Sequence, residues 1–140
     1  AYEIRLSLVS SEMCIRDSLA KWARIRAVRA DLQKTIEEQR EKNALGSSLQ
    51  ANARIEAAGE LYDDLASLGD ELRFVMIVSA VELAKSADAE THLMVSVSTE
   101  QKCARCWHYV PGVGSNAEHP TLCPRCVSNL FGSGEKRLFA

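Results

Sequence analysis

The 140-residue sequence contains no apolar run approaching the roughly 20 residues that a membrane-spanning helix needs. It also lacks a basic start followed by an apolar signal-peptide core. No GxxxxGK[ST] phosphate loop occurs, the Gly112-Val113-Gly114 segment is too short to replace one, and no Ser, His and Asp grouping suggests a nucleophilic site. The sequence therefore predicts neither a membrane span nor catalytic residues within this chain.

The composition is that of a globular chain, with 46% hydrophobic and 26% charged residues. At this length the chain can bury one modest core and carry a metal-held module beside it. The formal net charge of -2 is unevenly distributed, because basic residues predominate over residues 18–46 and acidic residues over residues 47–98. This balance permits a nucleic-acid partner without requiring one.

Two CxxC pairs near the end of the chain are the most specific motif. They supply the four thiolates of a closed tetrahedral zinc site, from Cys103, Cys106, Cys123 and Cys126. Disulfides are disfavoured because a CxxC disulfide is strained and nothing else in the sequence is secretory, whereas a rubredoxin-like iron site stays open as an alternative. A closed ligand set leaves no position for water, so we expect one structural zinc, in a protein of the reducing cytoplasm.

The residues around the first CxxC pair are candidates for binding nucleic acid. Arg105 lies inside the pair and Trp107 directly follows it. A rigid metal knuckle holds such side chains in place, so the indole could stack on an unpaired base and the guanidinium could contact a base edge or a phosphate. The alternative is that Trp107 is a hydrophobic lid on the metal module. His108 and His119 are expected to be surface residues, because four cysteines already complete the site.

Hydrophobic periodicity predicts one long helix near the start of the chain. Between Ser18 and Leu45, apolar residues recur at spacings of three and four, which is one face of a helix. Asp17 or Ser18 can cap its start, and Gly46 follows its end. The apolar positions are Leu19, Trp22, Ile25, Val28, Leu32 and Ile36.

The segment that follows predicts a small α+β unit. Strict alternation over residues 49–57 indicates a half-buried strand, and leucines from Leu61 to Leu72 indicate a short acidic helix interrupted at Gly69. The apolar run 74–78 suits a strand buried on both faces, and residues 93–97 suit a last strand. The expected fold class is α+β: a helical segment 18–46, a junction unit 47–100 and a zinc ribbon-like module 101–140.

Residues 1–17 fit neither period over a useful length. We interpret them as an artefactual or unstructured segment, and Cys14 within them has no ligand role in a site that four other cysteines complete.

Five segments together resemble the C-terminal end of bacterial isoleucyl-tRNA synthetases, a family of class I aminoacyl-tRNA synthetases. The resemblance runs from about Trp22 to Ala140. The segments are Lys102–Tyr109, Leu122–Asn129, Gly132–Ala140, Leu45–Ala51 and Gly69–Phe74.

The resemblance implies a parent enzyme that attaches isoleucine to its tRNA with ATP, and that is cytoplasmic and monomeric. The family's HIGH and KMSKS signatures and its editing domain are absent from this sequence. The resemblance further implies that residues 18–46 end an anticodon-binding helical domain and that Arg105 and Trp107 approach the anticodon of isoleucine tRNA. The zinc finger of a DNA glycosylase and a stand-alone zinc ribbon that binds other proteins are the alternatives.

Overall fold

The computed structural model describes the backbone of residues 2–140 and the side chains of residues 15–140. The fold is α+β, as predicted. The elements in chain order are α1 Tyr2–Glu41, β1 Ala51–Ala57, α2 Gly59–Ala66, α3 Leu72–Met76, β2 Ala80–Lys85, β3 His92–Val97 and α4 Pro124–Phe131, with short 3-10 turns at Ser48–Gln50 and Gly69–Glu71.

Helix α1 packs against α2, α3 and β3. It buries four of the six apolar positions that its sequence predicts, Ile25, Val28, Leu32 and Ile36, whereas Trp22 is half-buried and Leu19 is exposed. It ends at Glu41, and Asn43 then adopts a left-handed conformation with φ 56°. The N–H of Asn43 donates to Arg40 O and the N–H of Ala44 to Gln39 O, each at 2.9 Å. Asparagine tolerates this conformation, so the helix ends before Gly46, and the predicted end at Leu45 was late.

The start of α1 also differs from the prediction. The helix begins at Tyr2 rather than at Ser18, so the expectation of an unstructured segment is not met by the backbone from residue 2 onward. Residues 2–17 contain neither proline nor glycine, and nothing in them interrupts a helix that the core stabilises further along. The side chain of Cys14 lies outside the described side chains, and the interpretation of this segment as artefactual stays a prediction.

Strand β1 is the centre of a three-stranded sheet in the order β2-β1-β3. It runs parallel to β2 and antiparallel to β3, with Ile55 opposite Leu83 and Leu93. Alternate residues of β1 are buried, as the alternation in sequence predicts. That face packs against the helices, and the opposite face carries polar residues such as Arg54, which pairs with Glu82 at 2.8 Å. Residues 47–100 therefore form an α/β unit against α1.

The prediction of a strand over residues 74–78 was wrong. Helix α3 runs to Met76, Ile77 takes a left-handed conformation with φ 58°, and the strand begins only at Ala80. The N–H of Val78 donates to Arg73 O at 3.1 Å, which closes the helix end. A short apolar run has no period that separates a buried helical turn from a buried strand, and here the helix is the outcome.

Two side chains of the α/β unit hydrogen-bond to the zinc module, residues 101–140. The first is the buried hydroxyl of Ser79, which accepts the N–H of Tyr109 at 2.6 Å and donates to the carbonyl of Leu49. The second is the carboxylate of Glu71, which accepts the N–H groups of Leu138, Phe139 and Ala140 at 2.6, 2.7 and 2.8 Å. These hydrogen bonds attach the module at its C-terminal tail and beside its first knuckle, the turn that holds Cys103 and Cys106.

We expect Ser79→Ala to lower the free energy of unfolding by about 1–3 kcal/mol, because it leaves the N–H of Tyr109 without its acceptor at a half-buried position. Urea unfolding of the zinc-loaded chain measures the change. Ser98→Ala is the matched control, since Ser98 is also buried but its hydroxyl makes only a 3.3 Å contact with the N–H of Glu100. Equal unfolding midpoints for the two variants would contradict the role given to Ser79.

We expect attachment of the tail to depend on pH through Glu71. The N–H of Leu138, with those of Phe139 and Ala140, holds the pKa of Glu71 below its ordinary value. A lowered folded-state pKa means that the stabilisation is present above the unfolded-state pKa and is lost as the pH falls through the folded-state pKa.

Amide hydrogen-exchange protection factors of Leu138 and Phe139 test this dependence. Protection should fall under acid conditions, and Glu71→Gln should lower it at neutral pH, because an amide offers one acceptor oxygen in place of two. Asp70→Asn is the control, because Asp70 pairs with Arg73 and makes no contact with the tail among the described side chains. Protection factors that change neither with pH nor in Glu71→Gln would refute the role given to Glu71.

Candidate metal centre

The four predicted ligands converge on one point. Their sulfur atoms all lie within 4.8 Å of one another, and the Sγ atoms of Cys106 and Cys123 are 3.8 Å apart. A tetrahedron with metal–sulfur bonds of about 2.3 Å has edges of about 3.8 Å. A disulfide would need about 2.05 Å between sulfurs, and all four thiols are free.

The local sequence explains how each pair of sulfurs is aimed. In the first knuckle the N–H of Trp107 donates to Cys103 O and the N–H of Cys103 to His108 O, each at 3.0 Å, and Lys102 bridges to Tyr109. In the second, Cys123 precedes helix α4, Pro124 begins it, and Cys126 lies in its first turn. Proline favours the first position of a helix, so the second pair is set by a loop followed by a helix.

The thiols differ in how readily they ionise. Burial opposes ionisation of Cys103, but N–H donors of the knuckle backbone outweigh it and lower the pKa of this thiol to about 6. Burial raises the pKa of Cys123 to about 12. Because a zinc ligand must be a thiolate, metal binding has to displace protons, and zinc affinity falls as the pH falls.

The geometry and the donor set fit one structural zinc. Three of the cysteines are buried and Cys106 is half-buried, so the sulfurs leave no position open for a substrate water. Neither His108 nor His119 joins the cluster. His108 is half-buried rather than on the surface, with its ring edge against Phe74, and His119 stacks on Phe131 with ring centroids 4.1 Å apart.

Trp107 is held outward from the metal site. Its side chain is 59% exposed, and its backbone has φ 65°, a left-handed conformation that bulky residues rarely adopt. The apolar side chains that pack on the cysteines are Val110, Val113 and Leu122. This arrangement argues against the hydrophobic-lid alternative, because the covering of the site is done by other residues.

Arg105 is exposed, and its Nη1 lies 3.7 Å from the Sγ of Cys126. The guanidinium of this exposed residue therefore lies beside the metal site. Its predicted contact with RNA stays a prediction.

Sequence reasoning missed several residues that build the site. Pro124 was a usable signal, because a proline that begins a helix could have indicated α4. Ser79 and Glu71 gave no signal, since their partners lie 30 and 67 or more positions away in sequence. The described residues include no helix long and apolar enough to cross a membrane.

Comparison with known proteins agrees with the site. Residues 100–129 match the zinc finger found in FPG and IleRS. Over 120 residues the chain is 55% identical to the isoleucine–tRNA ligase of Paraburkholderia xenovorans, covering 85% of this chain and 13% of the relative. It is 56% identical over 121 residues to that of Laribacter hongkongensis, covering 86% and 12%, and 52% identical over 120 residues to that of Burkholderia mallei, covering 85% and 13%. The resemblance indicated by the motifs is confirmed, and the chain spans about an eighth of the length of these relatives.

We expect the folded chain to bind one zinc and Cys106→Ser to release it. The zinc module should then unfold while α1 and the sheet stay folded, because their apolar core is separate from the cysteine cluster. Elemental analysis gives the zinc content, and backbone NMR locates the loss of structure.

Cys14→Ser is the matched control and should keep its zinc. Folded protein with a zinc content near zero would refute the site.

Proposed function

We propose that this chain is the zinc-bearing, tRNA-recognition region of an isoleucine–tRNA ligase, the enzyme that attaches isoleucine to its tRNA with ATP. The match to isoleucine–tRNA ligases extends over 120 residues and so includes much of α1 and the α/β unit as well as the finger. The activation and editing chemistry belongs to the rest of such an enzyme. This region contributes binding, with the whole protein acting as a monomer in the cytoplasm.

The observation that carries the proposal is the strained and exposed Trp107. A left-handed bulky residue costs about 1–2 kcal/mol, and such strain is found mainly at functional sites. Here the strain projects an indole into solvent from a knuckle that the metal makes rigid. A fixed exposed ring loses little entropy when an unpaired anticodon base stacks on it.

A cation beside the ring adds to this site. The Nζ of Lys102 lies 4.9 Å from the centre of the Trp107 ring, so positive charge accompanies the stacking surface. Arg105 supplies a second cation on the same knuckle, with donors that can reach a base edge or a phosphate. The pair of Trp107 and Arg105 is thus suited to a looped single strand of RNA.

Helix α1 is proposed to be the end of an anticodon-binding helical domain. Two of its arginines are engaged inside the chain, since Arg24 pairs with Asp64 at 2.6 Å and Arg40 with Glu37 at 2.8 Å. Arg26 and Lys34 are exposed and have no carboxylate partner among the described side chains. Arg26 and Lys34 are therefore two of the α1 cations that RNA could use.

The two alternatives have less support. The zinc finger match alone includes FPG proteins, so a DNA glycosylase finger agrees with residues 100–129. The longer match to isoleucine–tRNA ligases favours the synthetase over that enzyme and over a stand-alone zinc ribbon. A binding assay separates the three functions. A synthetase region binds the anticodon stem-loop, a glycosylase finger binds a duplex with a damaged base, and a protein-binding zinc ribbon binds neither.

We expect Trp107→Ala to weaken binding of the isoleucine anticodon stem-loop by about 1–3 kcal/mol, with zinc retained. Trp107→Gly should weaken it equally while stabilising the module, because glycine adopts φ 65° without strain. Loss of binding with a gain in stability separates a stacking residue from a packing residue. Fluorescence titration and thermal unfolding of the zinc-loaded chain measure the two quantities.

Phe131→Ala is the matched control, since Phe131 is an exposed aromatic residue whose ring already stacks on His119. Titration at several salt concentrations adds a second readout: Trp107→Ala keeps the salt slope of the parent, and Arg105→Ala reduces it where the contact is to phosphate. Parent-like affinity of both Trp107 variants, or equal affinity for a scrambled anticodon, would overturn the proposal.

A further inference from the structure

A small cavity lies between helix α3 and the zinc module, beside the two knuckles. Its volume is about 210 Å³. Sites for drug-sized molecules measure about 300–1,000 Å³, so this cavity has the size for one small ring system. The apolar residues that line it are Val110, Pro111 and Pro124, and the polar ones include Arg73, His108 and Arg125.

The ring of Phe74 holds the two guanidiniums of the cavity in place. The Cζ atoms of Arg73 and Arg125 each lie 4.8 Å from the centre of this ring. Arg73 Nη2 also pairs with Asp70 at 3.0 Å. Arg125 Nη1 pairs with Glu135 at 2.8 Å. A guanidinium has more N–H donors than one carboxylate accepts, so both residues keep donors for a ligand.

One of these donors is buried without an acceptor. The Nε of Arg73 has no hydrogen-bond partner among the described residues. Such a donor is unfavourable in the empty cavity, so a ligand that brings an acceptor gains from it. His108 is fixed in the same wall, because its Nδ1 lies 3.1 Å from the carbonyl oxygen of Cys106 and donates to it.

The cavity is unsuited to a phosphate group. Cys106 and Cys123, two of the predicted zinc ligands, also line it. Four thiolates around one dication leave two negative charges, which repel an anion. Both guanidiniums already have a carboxylate partner. A neutral ring with acceptor atoms on its edge avoids the repulsion, and arginine binds such edges on nucleobases.

We propose that this cavity binds an unpaired nucleobase, with the acceptor edge of the base towards Arg73 and Arg125 and its ring against the apolar wall. Trp107 directly precedes His108. A loop with one base stacked on the indole can therefore bring a neighbouring base to the cavity. The identification of an RNA loop as the source of the base rests on the proposed function.

Substitutions at Arg73 in the full, zinc-loaded chain test the contact. Arg73→Lys keeps the charge and removes the guanidinium fork. We expect its affinity for the isoleucine anticodon stem-loop, measured by fluorescence titration, to fall about 5- to 150-fold. Arg73→Gln should lose as much and keep the salt slope of the parent, because no phosphate contact is removed.

Arg54→Lys is the matched control. Arg54 also pairs with carboxylates, those of Glu56 and Glu82, but it lies on the sheet and does not line the cavity. Its replacement should leave the affinity unchanged.

Stem-loops with an abasic site at each loop position in turn locate the base. At one position the parent and Arg73→Lys should bind equally, because the contact is already absent. Titration of the parent with the four free nucleosides needs neither a variant nor a stem-loop. At least one nucleoside should shift the NMR signals of His108 and Val110, while those of Val28 in the separate apolar core stay unchanged.

Parent-like affinity of Arg73→Lys would overturn the proposal, as would a loss that persists in every abasic loop or the absence of a shift with all four nucleosides. Affinity kept by Arg73→Lys but lost by Arg73→Gln, with a reduced salt slope, would assign the cavity to a phosphate and overturn it too. A parent chain that does not bind the stem-loop contradicts the proposed function. The nucleoside titration then decides the role of the cavity, as it does for a variant that loses its zinc.

Discussion

The convergence of four sulfurs on one point is the constraint on which the last third of the chain depends. Regular structure there is limited to helix α4 and one β-bridge, and few apolar side chains pack on the cysteines. Burial of so little apolar surface cannot balance the entropy of ordering these residues. The free energy of metal binding is therefore what stabilises the folded module. The directions of the side chains on the knuckles follow from the geometry of the metal site.

Attachment of the module to the α/β unit uses polar contacts more than a shared core. Ser79 and Glu71 act as acceptors for backbone N–H groups of the module, and the ring of Phe74 meets the edge of His108 with centroids 5.6 Å apart. Such contacts have strict geometry, so they fix an orientation even where they add little stability. The knuckle that carries Trp107 is thereby held at a defined place relative to α1.

The sequence was most informative where one physical rule acted alone. The CxxC spacing predicted the ligand cluster, the apolar period predicted the buried stripe of α1, and alternation predicted β1. Prediction failed where long-range contacts decided between local alternatives, as in the apolar run that became the end of α3 instead of a strand. It also failed at the end of α1, because Asn43 rather than Gly46 takes the left-handed position. The contacts of Ser79 and Glu71 depend on residues far away in sequence and have no local signature.

Trp107 and Arg105 lie on the same knuckle, but their contacts differ. Arg105 directs a donor at the sulfur of Cys126, so a change at this residue alters the metal site as well as any contact with RNA. Trp107 has no such second role among the described contacts, and its left-handed backbone makes the module less stable than glycine would. Ile77 takes the same conformation to end α3, whereas the exposed ring of Trp107 does not cover the metal site, and this difference is why we propose a binding role for Trp107. Under the proposed function, a change at Trp107 therefore tests RNA binding more directly than a change at Arg105 does.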